Sequence, residues 1–111
     1  MLTIEKLKVY GADTAKGLSR CANNEALYLR LVDITVRELS SGSLGEALAS
    51  GDPERAFEAA HKLKGSVSNL ALTPIEIPLS ELTELLRSRT PGDHTALYDE
   101  IVRKTNELAS L

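Results

Sequence analysis

One histidine in the middle of a run of helix-forming residues is where this sequence first offers chemistry. Residues 56 to 72 read Ala-Phe-Glu-Ala-Ala-His-Lys-Leu-Lys-Gly-Ser-Val-Ser-Asn-Leu-Ala-Leu, and a projection at about 100° per residue separates two faces. Ala56, Ala59, Ala60, Leu63, Val67 and Leu70 form an apolar stripe. His61 lies roughly 140° from the middle of that stripe, so it is expected to face solvent and not the core. A neutral imidazole is a nucleophile, and attack on a phosphoryl group gives a phosphoramidate reactive enough to pass the group onward. Such a site needs no metal of its own.

The neighbours of His61 suit that chemistry. Gly65 falls one turn later, about 40° away on the wheel, where a mid-helix glycine costs roughly 1 kcal/mol relative to alanine. Ser68 lies beneath the same histidine, so the surface around the imidazole is expected to be clear of bulky side chains. Phe57 and Leu72 flank this face without an obvious core partner and suggest a docking patch. Charge on a transferred phosphoryl group must be offset, and Lys64, about 60° from His61, is the nearest cation on the helix. Lys62 lies farther round, at about 100°, and is expected to help only peripherally. Taken alone, a lone helical histidine is more often structural or inert, and solvated lysines beside it are ordinary.

Other chemistries find little support. His94 follows a turn and reads as an exposed or capping residue. No metal-ligand spacing joins it to His61 or Cys21. The carboxylates are scattered, and no glycine-rich loop is placed to cradle a nucleotide, which argues against an autonomous kinase. The single Cys21 reads as a small buried apolar residue. With 13 basic and 16 acidic residues the net charge is −3, and no long basic run marks a nucleic-acid or anionic-membrane partner. The first residues lack the apolar stretch of a secretory signal and no later segment is long enough to span a bilayer, so a cytoplasmic protein is expected.

The elements that must position these residues are helices. Apolar residues make up 42% and charged residues 26% of the 111, an ordinary balance for one folded domain over residues 1–111. Aromatics are few, Phe57, Tyr10, Tyr28 and Tyr98, while Leu, Ala and Glu dominate, which favours helix over sheet. Short helices are predicted from about Thr3 to Tyr10 and from Asp13 to about Cys21. From Asn24 the spacing of Leu27, Leu31, Ile34 and Leu39 predicts a long helix, followed by a short one from Leu44 to Ser50. Gly51-Asp52-Pro53 then closes one helix and caps the next, which should run from Pro53 to about Leu72. Another helix, carrying Leu79, Leu82, Leu85 and Leu86, should begin between Ile75 and Pro78 and end near Arg89. After the turn at Thr90-Pro91-Gly92-Asp93, a last helix presents Leu97, Ile101, Lys104 and Leu108 along one side. Short connections favour antiparallel neighbours, so the expected architecture is all-α: an up-and-down antiparallel four-helix bundle with one or two short N-terminal helices.

His61-Lys62-Leu63-Lys64-Gly65-Ser66 resembles the phosphorylation signature of the histidine-containing phosphotransfer (HPt) family, in which the phosphorylated histidine is followed three and four residues later by Lys and Gly. Ala60, Asn69 and Leu70 also fit, and Tyr10-Gly11-Ala12-Asp13, Gly17 to Cys21 and Asn24 to Tyr28 are similar to the N-terminal half of bacterial members. Ala71 departs from the glycine common there, and Pro74 and Pro78 are unusual at the start of the following helix. The resemblance implies a phosphorelay carrier without kinase activity, with His61 taking phosphoryl from a receiver-domain aspartate and passing it to another. It fits Lys64 for charge stabilisation and Gly65 for clearance, on the face where the helical projection already places Phe57, Lys62, Ser68 and Leu72 as docking residues. In the family a polar side chain of the next helix orients the imidazole; spacing puts Thr83 there, with Ser80 and Arg87 as alternatives. The implied partners are receiver domains of response regulators or hybrid sensor kinases, which bring the Mg²⁺; no cofactor is expected in this chain, which should be monomeric. The rival expectation is a helical adaptor that docks partners through the same face without carrying phosphate. The phosphoacceptor segment of a larger chemotaxis-type kinase is less favoured, since no catalytic segment is present.

Overall fold

Asp52 shows how closely local sequence dictates the main helix. In a computed structural model describing residues 1–111, its carboxylate accepts the backbone N–H groups of Glu54 (3.0 Å) and Arg55 (3.3 Å), and Pro53 occupies the first helical position, where its missing N–H costs nothing. The protein is all-helical: α1 (Ile4–Tyr10), α2 (Thr14–Arg20), α3 (Glu25–Ser40), α4 (Ser43–Ala49), α5 (Pro53–Asn69), α6 (Thr73–Arg87) and α7 (Thr95–Ala109). Thr3, Asp13 and Asn24 cap α1, α2 and α3 through their side chains, each bonding a backbone N–H three residues on.

Helices α3, α5, α6 and α7 close a ring, α5 against α3 and α6, and α7 against α6 and α3. Val32, Leu63, Val67, Ile75, Leu79, Leu82 and Ile101 fill its centre, each such side chain contributing about 1.5–3 kcal/mol on burial. Of the two short N-terminal helices, α1 is tied to α7 by the Tyr10 hydroxyl, which donates to the Lys104 carbonyl at 2.8 Å.

Three sequence expectations change. The α3 face turned to the core carries Tyr28, Val32 and Thr35, while Leu27 and Ile34 each remain 40% exposed. Tyr28 sets that rotation: its ring fills the space left by Gly17, where an added Cβ would lie 2.5 Å from a ring carbon, and its hydroxyl donates to the Leu70 carbonyl at 2.9 Å. Helix α5 ends at Asn69 and not near Leu72. The Leu72 N–H bonds the Val67 carbonyl, the Ala71 N–H bonds that of Ser68, and Ala71 takes a left-handed φ of 54°, which together make a Schellman turn. Alanine thus stands where this turn ordinarily takes glycine, and the change from the family's residue falls on the one backbone position here that glycine would suit best. Helix α6, finally, starts at Thr73, earlier than expected. Pro74 lies in its first turn, and Pro78 is accommodated inside it, where its absent N–H would have met the carbonyl of Pro74.

Candidate functional site

His61 sits mid-way along α5 with its side chain exposed. One turn before it Phe57 stacks on the imidazole, ring centroids 5.5 Å apart and planes 16° from parallel. The Phe57 ring is itself covered by Arg87 of α6, whose guanidinium carbon lies 4.9 Å from the ring centre, within cation–π range. Gly65, one turn after His61, opens onto free space: a Cβ there would meet nothing within 4 Å. The helix surface on that side of the imidazole is therefore bare backbone.

The cations flanking His61 diverge. Lys64 reaches towards α6, where its Nζ is 3.9 Å from Glu84 Oε1, and the same oxygen accepts a 3.3 Å hydrogen bond from Arg87 Nε. Lys62 points the other way, towards a shallow depression that it lines with Glu38, Ser41, Ser43, Ala59 and Leu63. Ser68 is half-buried two turns along α5 from the histidine.

Two residues expected at the site lie elsewhere. Thr83 is fully buried, and its hydroxyl is spent on the Leu79 carbonyl at 2.7 Å, so it does not orient the imidazole. Ser80 makes no hydrogen bond to His61 either, and the alternative Arg87 touches Phe57 and Glu84 instead. The side-chain contact that the imidazole makes in this chain is with the stacked Phe57 ring. Leu72 is also fully buried, because the Schellman turn folds that position back onto the core beside Val67, and it contributes nothing to a docking face. Glu84 is the residue that sequence reasoning missed. Its spacing of three from Arg87 is the only local signal, since its contact with Lys64 crosses between helices.

The far end of α5 is held firmly. The Arg20 guanidinium donates to the carbonyls of Ser68 and Asn69, placing positive charge at the negative end of the helix dipole. The Asp13 N–H bonds the Ala71 carbonyl at 3.0 Å, and Tyr28 secures Leu70. Burial, with smaller contributions from Cys21 and Asp13, pushes the Tyr28 phenol up to about 12, so it stays a donor at neutral pH. These anchors fix the helix that carries His61 without occupying its exposed face.

No helix is long and apolar enough to cross a membrane. A sequence model of the Hpt domain family matches residues 40–110, a span that begins at the last residue of α3 and takes in the whole of α4 to α7. Comparison with curated proteins and with solved structures returned no match. Domains of this family are histidine phosphotransfer carriers of phosphorelays, not enzymes, and they work with receiver domains. With well over half of its length matched, this chain belongs to the Hpt domain family.

Proposed function

We propose that this chain is a phosphocarrier that accepts a phosphoryl group on His61 from a receiver-domain aspartate and passes it to a second receiver aspartate. The observation that supports the reading best is the pairing of an exposed imidazole with open space over Gly65 on one face of α5. An aspartyl phosphate must bring its phosphorus within bonding distance of an imidazole nitrogen, and a side chain one turn away would stand in the path of the incoming domain.

In the forward step the nitrogen lone pair forms a bond to phosphorus while the bond from phosphorus to the aspartate oxygen breaks. The carboxylate leaves with the electron pair, and the imidazole loses its ring proton to solvent. Phe57 limits rotation of the ring by stacking, and Lys64 supplies positive charge beside the phosphoryl oxygens. The receivers belong to response regulators or hybrid sensor kinases and bring the Mg²⁺ with them. The carrier acts as a cytoplasmic monomer on an antiparallel up-and-down bundle, a topology supported by the closed ring of α3, α5, α6 and α7 and the short connections at residues 70–72 and 88–94.

Incubation with a phosphorylated receiver, followed by detection of acid-labile phosphate, tests the proposal. The wild-type chain and His94→Gln should be labelled, and His61→Gln should not, although its helicity and melting stay close to wild type. Undiminished labelling of His61→Gln would remove the proposed acceptor. A chain that binds the receiver but is never labelled would be an adaptor.

A further inference from the structure

Glu84 is where Lys64 of α5 and Arg87 of α6 meet. Its Oε1 lies 3.9 Å from Lys64 Nζ and 3.3 Å from Arg87 Nε. The Lys64 side chain is 30% exposed, and this carboxylate is the acidic partner its ammonium group meets across the helix interface. Arg87 is fastened on a second side by the Phe57 ring that stacks on His61.

We propose that Glu84 is a counter-ion that exchanges partners when His61 is phosphorylated: it holds Lys64 in the empty carrier, releases it to the phosphoryl group in the loaded one, and keeps Arg87 throughout. This inference rests on the phosphocarrier reading and concerns how that site takes up charge. A phosphoryl group carries close to two negative charges against one for a carboxylate, so it outcompetes Glu84 for the ammonium. The contact being released is long, and Glu84 is 59% exposed, so giving it up costs little. Arg87, already bonded to the same oxygen, prevents the carboxylate from being left without a counter-charge beside a newly arrived dianion. Glu84 is thus a positioning residue that acts on His61 through Lys64, and it sets a small electrostatic threshold against loading.

Phosphoramidate, a small phosphodonor, tests the exchange without a receiver. Its P–N bond breaks as a bond from phosphorus to an imidazole nitrogen forms, and the departing ammonia takes up the proton that the imidazole gives up. The initial rate of phosphohistidine formation would be followed by ³¹P NMR in the full chain, in Glu84→Gln, in Lys64→Ala and in the double variant. Glu84→Gln should load about two- to fivefold faster, with unchanged melting. The gain should shrink at raised salt and vanish in the Lys64→Ala background. An equal gain with and without Lys64 would show that the carboxylate acts only by direct repulsion, and no gain would show that it does not compete; either result overturns the exchange. A wild-type chain that takes no label would overturn the carrier reading and this inference together, whereas a labelled chain indifferent to Glu84 overturns the exchange alone.

Discussion

Phe57 and His61 stand one helical turn apart with their rings 5.5 Å from centre to centre and nearly parallel. The imidazole is thereby supported on one side by an apolar surface while no side chain hydrogen-bonds it. Stacked aromatic pairs of this kind contribute about 0.5–1.5 kcal/mol beyond their buried area. That is enough to bias the ring towards one orientation without sequestering its nitrogens.

Phe57→Leu should therefore slow phosphoryl acceptance by about two- to tenfold, the rate equivalent of losing the stacking term. Circular dichroism should show an intact helical fold, since leucine preserves most of the apolar contact. A transfer rate equal to wild type, measured with the same phosphorylated receiver, would show that the stacking has no part in orienting the ring.

At Gly65 stability and activity should move in opposite directions. The position is exposed, mid-helix and free of neighbours, so Gly65→Ala should stabilise the fold by roughly 0.5–1 kcal/mol in chemical denaturation. Gly65→Gln should also fold but transfer poorly, because its side chain rises into the space a receiver needs. Unimpaired transfer by the glutamine variant would show that the receiver approaches from another side.

Lys64 and Lys62, two residues apart on α5, should differ in effect. Lys64→Ala should slow transfer by an amount equivalent to about 1–4 kcal/mol, as removal of a charge aimed at the phosphoryl oxygens does. Lys62→Ala, facing Glu38 and Ser41, should change the rate much less. Stopped-flow or quenched transfer assays would resolve the two, and equal small losses would mean that both lysines are merely solvated.

Alkaline pH should loosen the anchor of α5. Burial raises the folded-state pKa of Tyr28 to about 12 from its ordinary 10.0, and that of Tyr10 rises as well, chiefly through burial and secondarily through Glu107. A raised folded pKa means that the folded chain holds the proton more tightly. The stabilisation is therefore complete below pH 10 and is lost as pH climbs towards 12. Thermal melts should show the midpoint falling over that interval, and Tyr28→Phe should flatten the decline while costing about 0.5–1.5 kcal/mol at neutral pH for the lost hydrogen bond to Leu70. An equally steep decline in the variant would assign the alkaline sensitivity elsewhere.

What the sequence determined by itself was local. Asp52-Pro53 opens α5, Asn24 opens α3, and alternation along residues 56 to 72 leaves His61 and Gly65 off the apolar stripe, because capping and helical periodicity depend only on residues within a turn or two. The tertiary structure decided everything that depends on how one helix is rotated against the next. Thr83 and Glu84 are adjacent in sequence, yet the first is sealed in the core and the second faces Lys64. A rotation of about 100° per residue separates those fates. The phase of α6 relative to α5 is set by the Schellman turn at Leu70–Leu72 and by a helix start at Thr73 that tolerates Pro74 and Pro78. The face of α3 was decided in the same way, by a tyrosine that needs the gap at Gly17 for its ring and a distant carbonyl for its hydroxyl. Spacing along one helix cannot encode these choices, since they are made by the volumes and hydrogen-bond partners that other helices present.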